Sequence, residues 1–215
     1  MVYMALDKGW IAVHPFPDIW ITPQSRERRF LNEDEIRKIM EVNLPNYKTA
    51  IVRDIFVFCT FTGLAYADVR KLTCDDIHTD SNGDMWIIDK RQKTGTQFRV
   101  QLLPVARELV EKYRRLAPAD GAVFPVPAYN SFRVSLQTIA RRAGLSFIPT
   151  THVGRHSFAT SVCLSQGVPI ETVSKMLGHK HITTTQIYAK ITNDKIKRDM
   201  DHLQGRIGDK FRLAQ

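Results

Sequence analysis

Two periods of apolar recurrence run along this chain, and the switch between them marks its architecture. Asn32 followed three residues later by Glu35 is a helix-start pairing ahead of Ile36, Ile39 and Met40, so a helix is predicted from Glu33 to about Val42. Residues 49–61 are apolar nearly all round, with Arg53 and Asp54 as their only charges, which fits a buried central helix. A short helix should follow Gly63, through Tyr66 to Leu72. Between 84 and 103 the period falls to two: Phe98, Val100 and Leu102 alternate with polar neighbours, and Met85 to Ile88 forms a second apolar run. The polar RQKTGT between these runs predicts a β-hairpin with Lys93 near its tip.

Helical intervals return at Pro104, with Val105, Leu109, Tyr113 and Leu116 on one face, and a further helix is predicted over about Ala128 to Ala143, stopped by Gly144. Thr150 or Thr151 can cap a helix that carries His152 and Arg155 and ends near Gly167; Pro169 opens a short helix closed by Gly178. Thr183 and Gln186 form a capping-box pair just ahead of Tyr188, which places that tyrosine on a short helix. Ile196, Met200, Leu203, Ile207 and Phe211 then recur every three or four residues, in a stretch interrupted by Gly205 and Gly208 that can pack on its own core or on a neighbouring copy. The predicted fold class is α+β, mainly helical, with one small antiparallel sheet. Residues 1–29, with Pro15, Pro17 and Pro23, show no sustained helical period. Residues 1–25 read as a linker or the remnant of an upstream module, and 26–215 as one domain.

Composition adds a partner class. An apolar fraction of 43% over 215 residues supports a buried core, and 31 Lys plus Arg against 22 Asp plus Glu leave a formal charge of +9, which favours a polyanion. Cys59, Cys74 and Cys163 are odd in number and widely spaced, so neither a disulfide framework nor a zinc site is expected. With no signal-peptide pattern and no apolar run near the roughly 20 residues of a membrane span, a soluble cytoplasmic protein is expected.

The last third carries side chains suited to a phosphate: His152 and Arg155 in THVGRHSFAT, His179 in MLGHKHITTT, and Tyr188 in TTQIYAK. Displacement at a phosphodiester adds negative charge to the non-bridging oxygens, and a site without metal or cofactor must meet it with fixed donors. Arg155 can give two parallel N–H bonds, and His152, one helical turn earlier, shares its face. Tyr188 suits a nucleophile, because a phenol forms a stable but reversible phosphoester. His179 can donate to a phosphate oxygen, and Lys93 can protonate a departing hydroxyl. Singly, each has a bland reading: a salt-bridging arginine, a core tyrosine, a solvated turn lysine. His156 and His181 are expected mainly to shape the site or touch backbone, and Lys195, Lys197 and Arg198 to form a solvated helix face.

Together TGLAYADVRKLT, the KTG of Lys93 to Gly95, THVGRHSFAT and LGHKHITTTQIY resemble the catalytic domain of tyrosine recombinases, the phage-type integrases, over about Leu31 to Lys190. The four motifs stand in the family's order, and His179 precedes Tyr188 by the family's nine residues. The resemblance implies a mainly helical domain, a 3′-phosphotyrosyl intermediate and strand exchange without metal or ATP. It also implies double-stranded DNA as partner, a homotetramer on that DNA, accessory DNA-bending proteins and a nucleoid-associated location. By position Lys93, His152, Arg155, His179 and Tyr188 match the family's catalytic residues, and Asp68 matches an acidic position after its first arginine. Members usually carry an upstream DNA-binding domain, which this chain lacks except as residues 1–22.

The family's first catalytic arginine falls on Ala65 here, a feature that resembles integrases of mobile elements in Bacteroides-type bacteria. Loss of one such donor typically costs about 10²- to 10³-fold in rate. Arg53 is the candidate substitute, as a charge in an apolar helix that needs a partner; its alternative is a salt bridge to Asp68, Asp75 or Asp76. Arg70 lies about 140° around the helix from position 65 and is disfavoured. Two rival readings stay open: a DNA-binding scaffold of the same fold that cannot cleave, and a DNA-relaxing enzyme of the type IB topoisomerase kind.

Overall fold

The computed structural model describes residues 2–16, 29–115, 121–188 and 193–207. The segment expected to lack a helix forms a short one, α1 (Val2–Asp7), which buries none of its residues. Residues 17–28, and with them Pro17, Pro23 and the last part of the predicted linker, lie outside the described part. Helix α2 (Glu33–Glu41) starts as expected, because the Asn32 side chain accepts from the Glu35 N–H at 2.9 Å while Glu35 accepts from the Asn32 N–H at 3.0 Å.

Helix α3 (Tyr47–Thr62) is the central element, burying Ile51, Val52, Ile55, Phe56, Val57 and Phe58 against α2 and the helices that follow. Each of those large side chains contributes about 1.5–3 kcal/mol by leaving water, so α3 anchors the core. Its buried charge is satisfied locally: Asp54 accepts from Tyr113 Oη at 3.0 Å and Lys112 Nζ at 2.6 Å, and from Arg53 Nε at 2.9 Å. Gly63, at φ 69°, ends the helix with its N–H on the Cys59 carbonyl. A short α4 (Tyr66–Lys71) follows.

The sheet has three strands in the order β1-β2-β3, all antiparallel: β1 (Ile77–Thr79), β2 (Met85–Lys90) and β3 (Gln97–Gln101). The hairpin β2–β3 was legible from its alternation. β1 was not, because three residues with a single buried side chain, Ile77, give no period to read. Met85, Ile87, Phe98 and Val100 point into the core, and on the outer face the Arg99 guanidinium lies 4.7 Å from the Trp86 ring centroid.

Helices α5 (Pro104–Arg114) and α6 (Tyr129–Arg142) pack on α3. So does α7 (Thr151–Ser157), which begins after Thr150 without a side-chain cap. From Phe158 to Cys163 the path widens to a π-helical stretch, then tightens to a 3₁₀ turn over Leu164–Gln166 before Gly167, the predicted stop. Two hydroxyls of this path seize the strand-like entry to α2: Ser157 Oγ accepts from the Leu31 N–H, and Ser161 Oγ donates to the Leu31 carbonyl.

Helix α8 (Ile170–Met176) lies against β3. Helix α9 (Thr183–Gln186) is a single turn with no side-chain cap, so the predicted capping box is not made. Tyr188 sits in the turn just past it, with its N–H on the Thr185 carbonyl at 2.9 Å. The β-branched run of Ile and Thr here is a poor helix former. Helix α10 (Asn193–Ile207) runs through Gly205 without the predicted interruption. Phe211 and Gly208 lie outside the described residues. No helix among the described residues is long and apolar enough to cross a membrane.

Candidate active site

The site forms where the C-terminal ends of α3 and α8 meet α7. Those ends leave backbone carbonyls without helical partners, and their partial negative charge draws cations. Arg155, on α7, gives Nη1 to the Gly63 carbonyl at 2.7 Å and Nη2 to the Leu177 carbonyl at 2.6 Å. The same Nη2 lies 3.0 Å from His179 Nε2. His179 is oriented in turn by Thr185, whose Oγ1 lies 2.8 Å from Nδ1. Tyr188, only 6% exposed, has its ring stacked on His179 at 6.3 Å between centroids. Its hydroxyl lies 3.1 Å from His156 Nδ1, and the His156 ring stacks in turn near His152 at 6.3 Å.

Of the residues singled out by sequence, the structure thus brings His152, Arg155, His179 and Tyr188 together. Lys93 stands exposed on the β2–β3 turn and forms no hydrogen bond or ion pair among the described residues. Arg53 is elsewhere. It pairs with Asp54 and points Nη1 toward the carbonyls of Met40 and Val42, in a cavity it shares with Glu108 and Lys112. It also lies ten positions before Gly63, about 15 Å back along α3. Asp54 therefore answers the need for a partner that made Arg53 a candidate, in place of Asp68, Asp75 or Asp76.

A different guanidinium is linked to position 65 through Asp68. Arg91, 6% exposed, gives Nη1 to Asp68 Oδ2 at 2.7 Å and Nε to the Leu177 carbonyl at 2.8 Å, the oxygen that Arg155 also uses. Nη2 reaches the Met176 carbonyl at 3.2 Å, and the guanidinium lies 3.9 Å from the Phe98 ring centroid. Asp68 is pinned from three sides, by Arg91, by the Gln92 N–H at 3.1 Å and by the Ala65 N–H at 3.4 Å. Burial first and the neighbouring Arg91 second lower the Arg155 pKa to about 10, while Tyr188 and Asp68 favour its charged form. Burial also lowers Arg91, against the pull of Asp68. Two buried guanidiniums that donate to the same Leu177 carbonyl oxygen concentrate positive charge away from water, where an anion is stabilised more strongly than in solvent.

Arg91 escaped the sequence reading, and His156 was expected only to shape the site or touch backbone, although each had a signal. Met85 and Ile87 face the core on β2, and Arg91 continues that every-second-residue row. His156 follows His152 by four positions, the spacing that puts two side chains on one helix face.

The chain is thus an α3-centred helical domain with a small sheet, in which a carbonyl-anchored arginine stands near a tyrosine flanked by two histidines. Residues 29–195 match the sequence profile of the phage integrase family, and the chain belongs to that family. It is 28% identical over 192 residues to a tyrosine recombinase XerA of Saccharolobus solfataricus, covering 88% of this chain and 61% of that protein. It is 30% identical over 182 residues to a tyrosine recombinase XerD of Listeria innocua, covering 79% of this chain and 60% of the relative. The chain thus spans about three fifths of the length of these curated relatives. Among solved structures, a XerA recombinase superposes with a TM-score of 0.66 at 20% identity, over 83% of this chain and 66% of that one. A lambda integrase dimer bound to a core site gives 0.67 at 17% identity, over 89% of this chain and 71% of that one. At those identities the likeness is one of fold, and it agrees with the mainly helical architecture read from the sequence.

Proposed function

We propose that this chain cleaves and rejoins strands of double-stranded DNA through a 3′-phosphotyrosyl intermediate, as a site-specific recombinase. The observation that carries the reading is the convergence of Tyr188, His156, His179 and Arg155 within hydrogen-bonding and ring-stacking distance of one another. Tyr188 attacks the scissile phosphorus as the P–O5′ bond breaks. Arg155 and His179 donate to the non-bridging oxygens, with His152 on the same helix face. Lys93, exposed on its turn, delivers a proton to the departing 5′ hydroxyl. Arg91 supplies the guanidinium absent from position 65, since it bonds the same Leu177 carbonyl as Arg155 and pairs with Asp68. The working unit is a homotetramer on nucleoid DNA, so that cleaved ends can be exchanged between protomers.

Ala65 favours one rival, a scaffold that binds DNA without cutting it. A nicked suicide substrate, which traps the covalent adduct, decides between them. The wild-type chain is expected to accumulate the adduct and Tyr188→Phe to lose it. Sequence-specific binding by the wild type with no adduct would show the scaffold instead.

A further inference from the structure

His156 follows the phosphate-binding Arg155 by one residue, and the strand-transfer reading leaves it without a part in the reaction. Its position is nonetheless closer to the reacting atom than that of any other histidine whose contact with Tyr188 is described. Nδ1 lies 3.1 Å from Tyr188 Oη, the two ring centroids are 5.1 Å apart, and the rings are tilted by 46°. His179, by comparison, stacks on the tyrosine ring face and directs Nε2 to Arg155 and Nδ1 to Thr185, so both its ring nitrogens have other partners. Arg155 is a cation held by two carbonyls, and it can lower the cost of a phenolate but cannot accept a proton.

A phenol with a free pKa near 10 is nearly all protonated at neutral pH, so attack requires a group that takes its proton as the Oη–P bond forms. A neutral imidazole at hydrogen-bond distance is the side chain suited to that task. His156 is half-buried, while Tyr188 is closed off from solvent, which leaves bulk water a poor rival as acceptor.

From this geometry we infer that His156 is a catalytic residue, the proton acceptor for Tyr188. In cleavage the Oη–H proton passes to His156 Nδ1 while Oη bonds to phosphorus and the P–O5′ bond breaks, O5′ taking its proton from Lys93. In rejoining, the 5′ hydroxyl gives its proton back to the Lys93 amine as O5′ bonds to phosphorus, the Oη–P bond breaks, and the imidazolium returns its proton to Oη. The inference rests on the strand-transfer reading above.

The test uses His156→Asn, whose amide can occupy the place of Nδ1 and hold the phenol but cannot carry its proton. Adduct formation on the nicked substrate should fall about 10²-fold, the usual share of a general base, with DNA binding retained. A ring-fluorinated tyrosine at position 188, whose phenol is more acidic, should recover most of that loss in His156→Asn and leave the His156 chain nearly unchanged. His156→Gln serves as the second variant if the asparagine chain does not bind DNA. Undiminished cleavage without the imidazole, or a loss that fluorination does not relieve, overturns the role of His156 and leaves the recombinase reading intact. Absence of adduct from the wild type itself overturns both.

Discussion

At the scale of single residues, Asp68 decides how the missing arginine is read. Its carboxylate and the Arg91 guanidinium are 5% and 6% exposed and 2.7 Å apart, so each compensates the other's desolvation. Removing Arg91 alone strands a buried anion, a change that typically costs about 3–5 kcal/mol of stability and would confuse a fold effect with a catalytic one. The clean comparison restores the charge from the other side. Ala65 caps α4 with its N–H 3.4 Å from Asp68 Oδ2, so an arginine placed at 65 starts beside the same carboxylate. Arg91→Ala is expected to lower adduct formation by about 10²- to 10³-fold, and A65R in that background to recover at least about tenfold of it. Arg53→Ala, away from the cluster, should leave the rate unchanged. A cleavage rate indifferent to Arg91, in chains that still bind DNA, would remove it from the phosphate site.

At the scale of elements, the site depends on where helices end. Gly63 closes α3 at φ 69°, and a Cβ there would stand 2.5 Å from Phe158 Cδ1 and 2.8 Å from Leu177 Cδ2. The carbonyl of this same glycine receives Arg155. Gly63→Ala therefore combines left-handed strain with a clash against α7's π-helical continuation and the end of α8, and it should destabilise the fold by about 2 kcal/mol or more. Thermal unfolding should register this as a lower Tm, and a variant as stable as the wild type would contradict the packing described. These ends also explain what was legible beforehand. Asn32–Glu35, Gly63, Pro104, Gly144 and Gly167 each mark a boundary through local chemistry, and the structure places boundaries there. The change of winding at Phe158 is accompanied by side-chain bonds from Ser157 and Ser161 to Leu31, and the single turn of α9 by the Thr185–His179 contact, partners far apart in sequence or reached only through side chains. For the same reason Arg91 could be seen as the next member of an inward-facing row but not as the neighbour of Arg155, because Leu177, the residue that joins them, is 86 positions away from Arg91.

At the scale of the molecule, the described chain leaves one long apolar stripe uncovered. Ile196, Met200, Leu203 and Ile207 of α10 are 51%, 56%, 43% and 37% exposed, although they recur at the helical spacing that normally seeks a core. The helix borders Ser165, Gln166 and Gly167 around a cavity of about 630 Å³, yet that border does not close over the stripe. A chemistry in which Tyr188 cuts one strand at a time needs no such stripe, because Arg155, His179, His156 and Tyr188 are brought together within one chain. Exchange of strands between two sites does need a link between protomers, and an exposed amphipathic helix at the end of the domain is suited to provide it. Deleting residues 196–215 should accordingly leave adduct formation on a single nicked site within a few-fold of the wild type, while recombination between two sites disappears. Both quantities can be followed in one gel assay, the first as a covalent protein–DNA band and the second as a rejoined product of new length. A truncated chain that still recombines two sites at the rate of the intact one would assign the stripe no role in assembly. Loss of both bands at once would instead place α10 among the supports of the site itself.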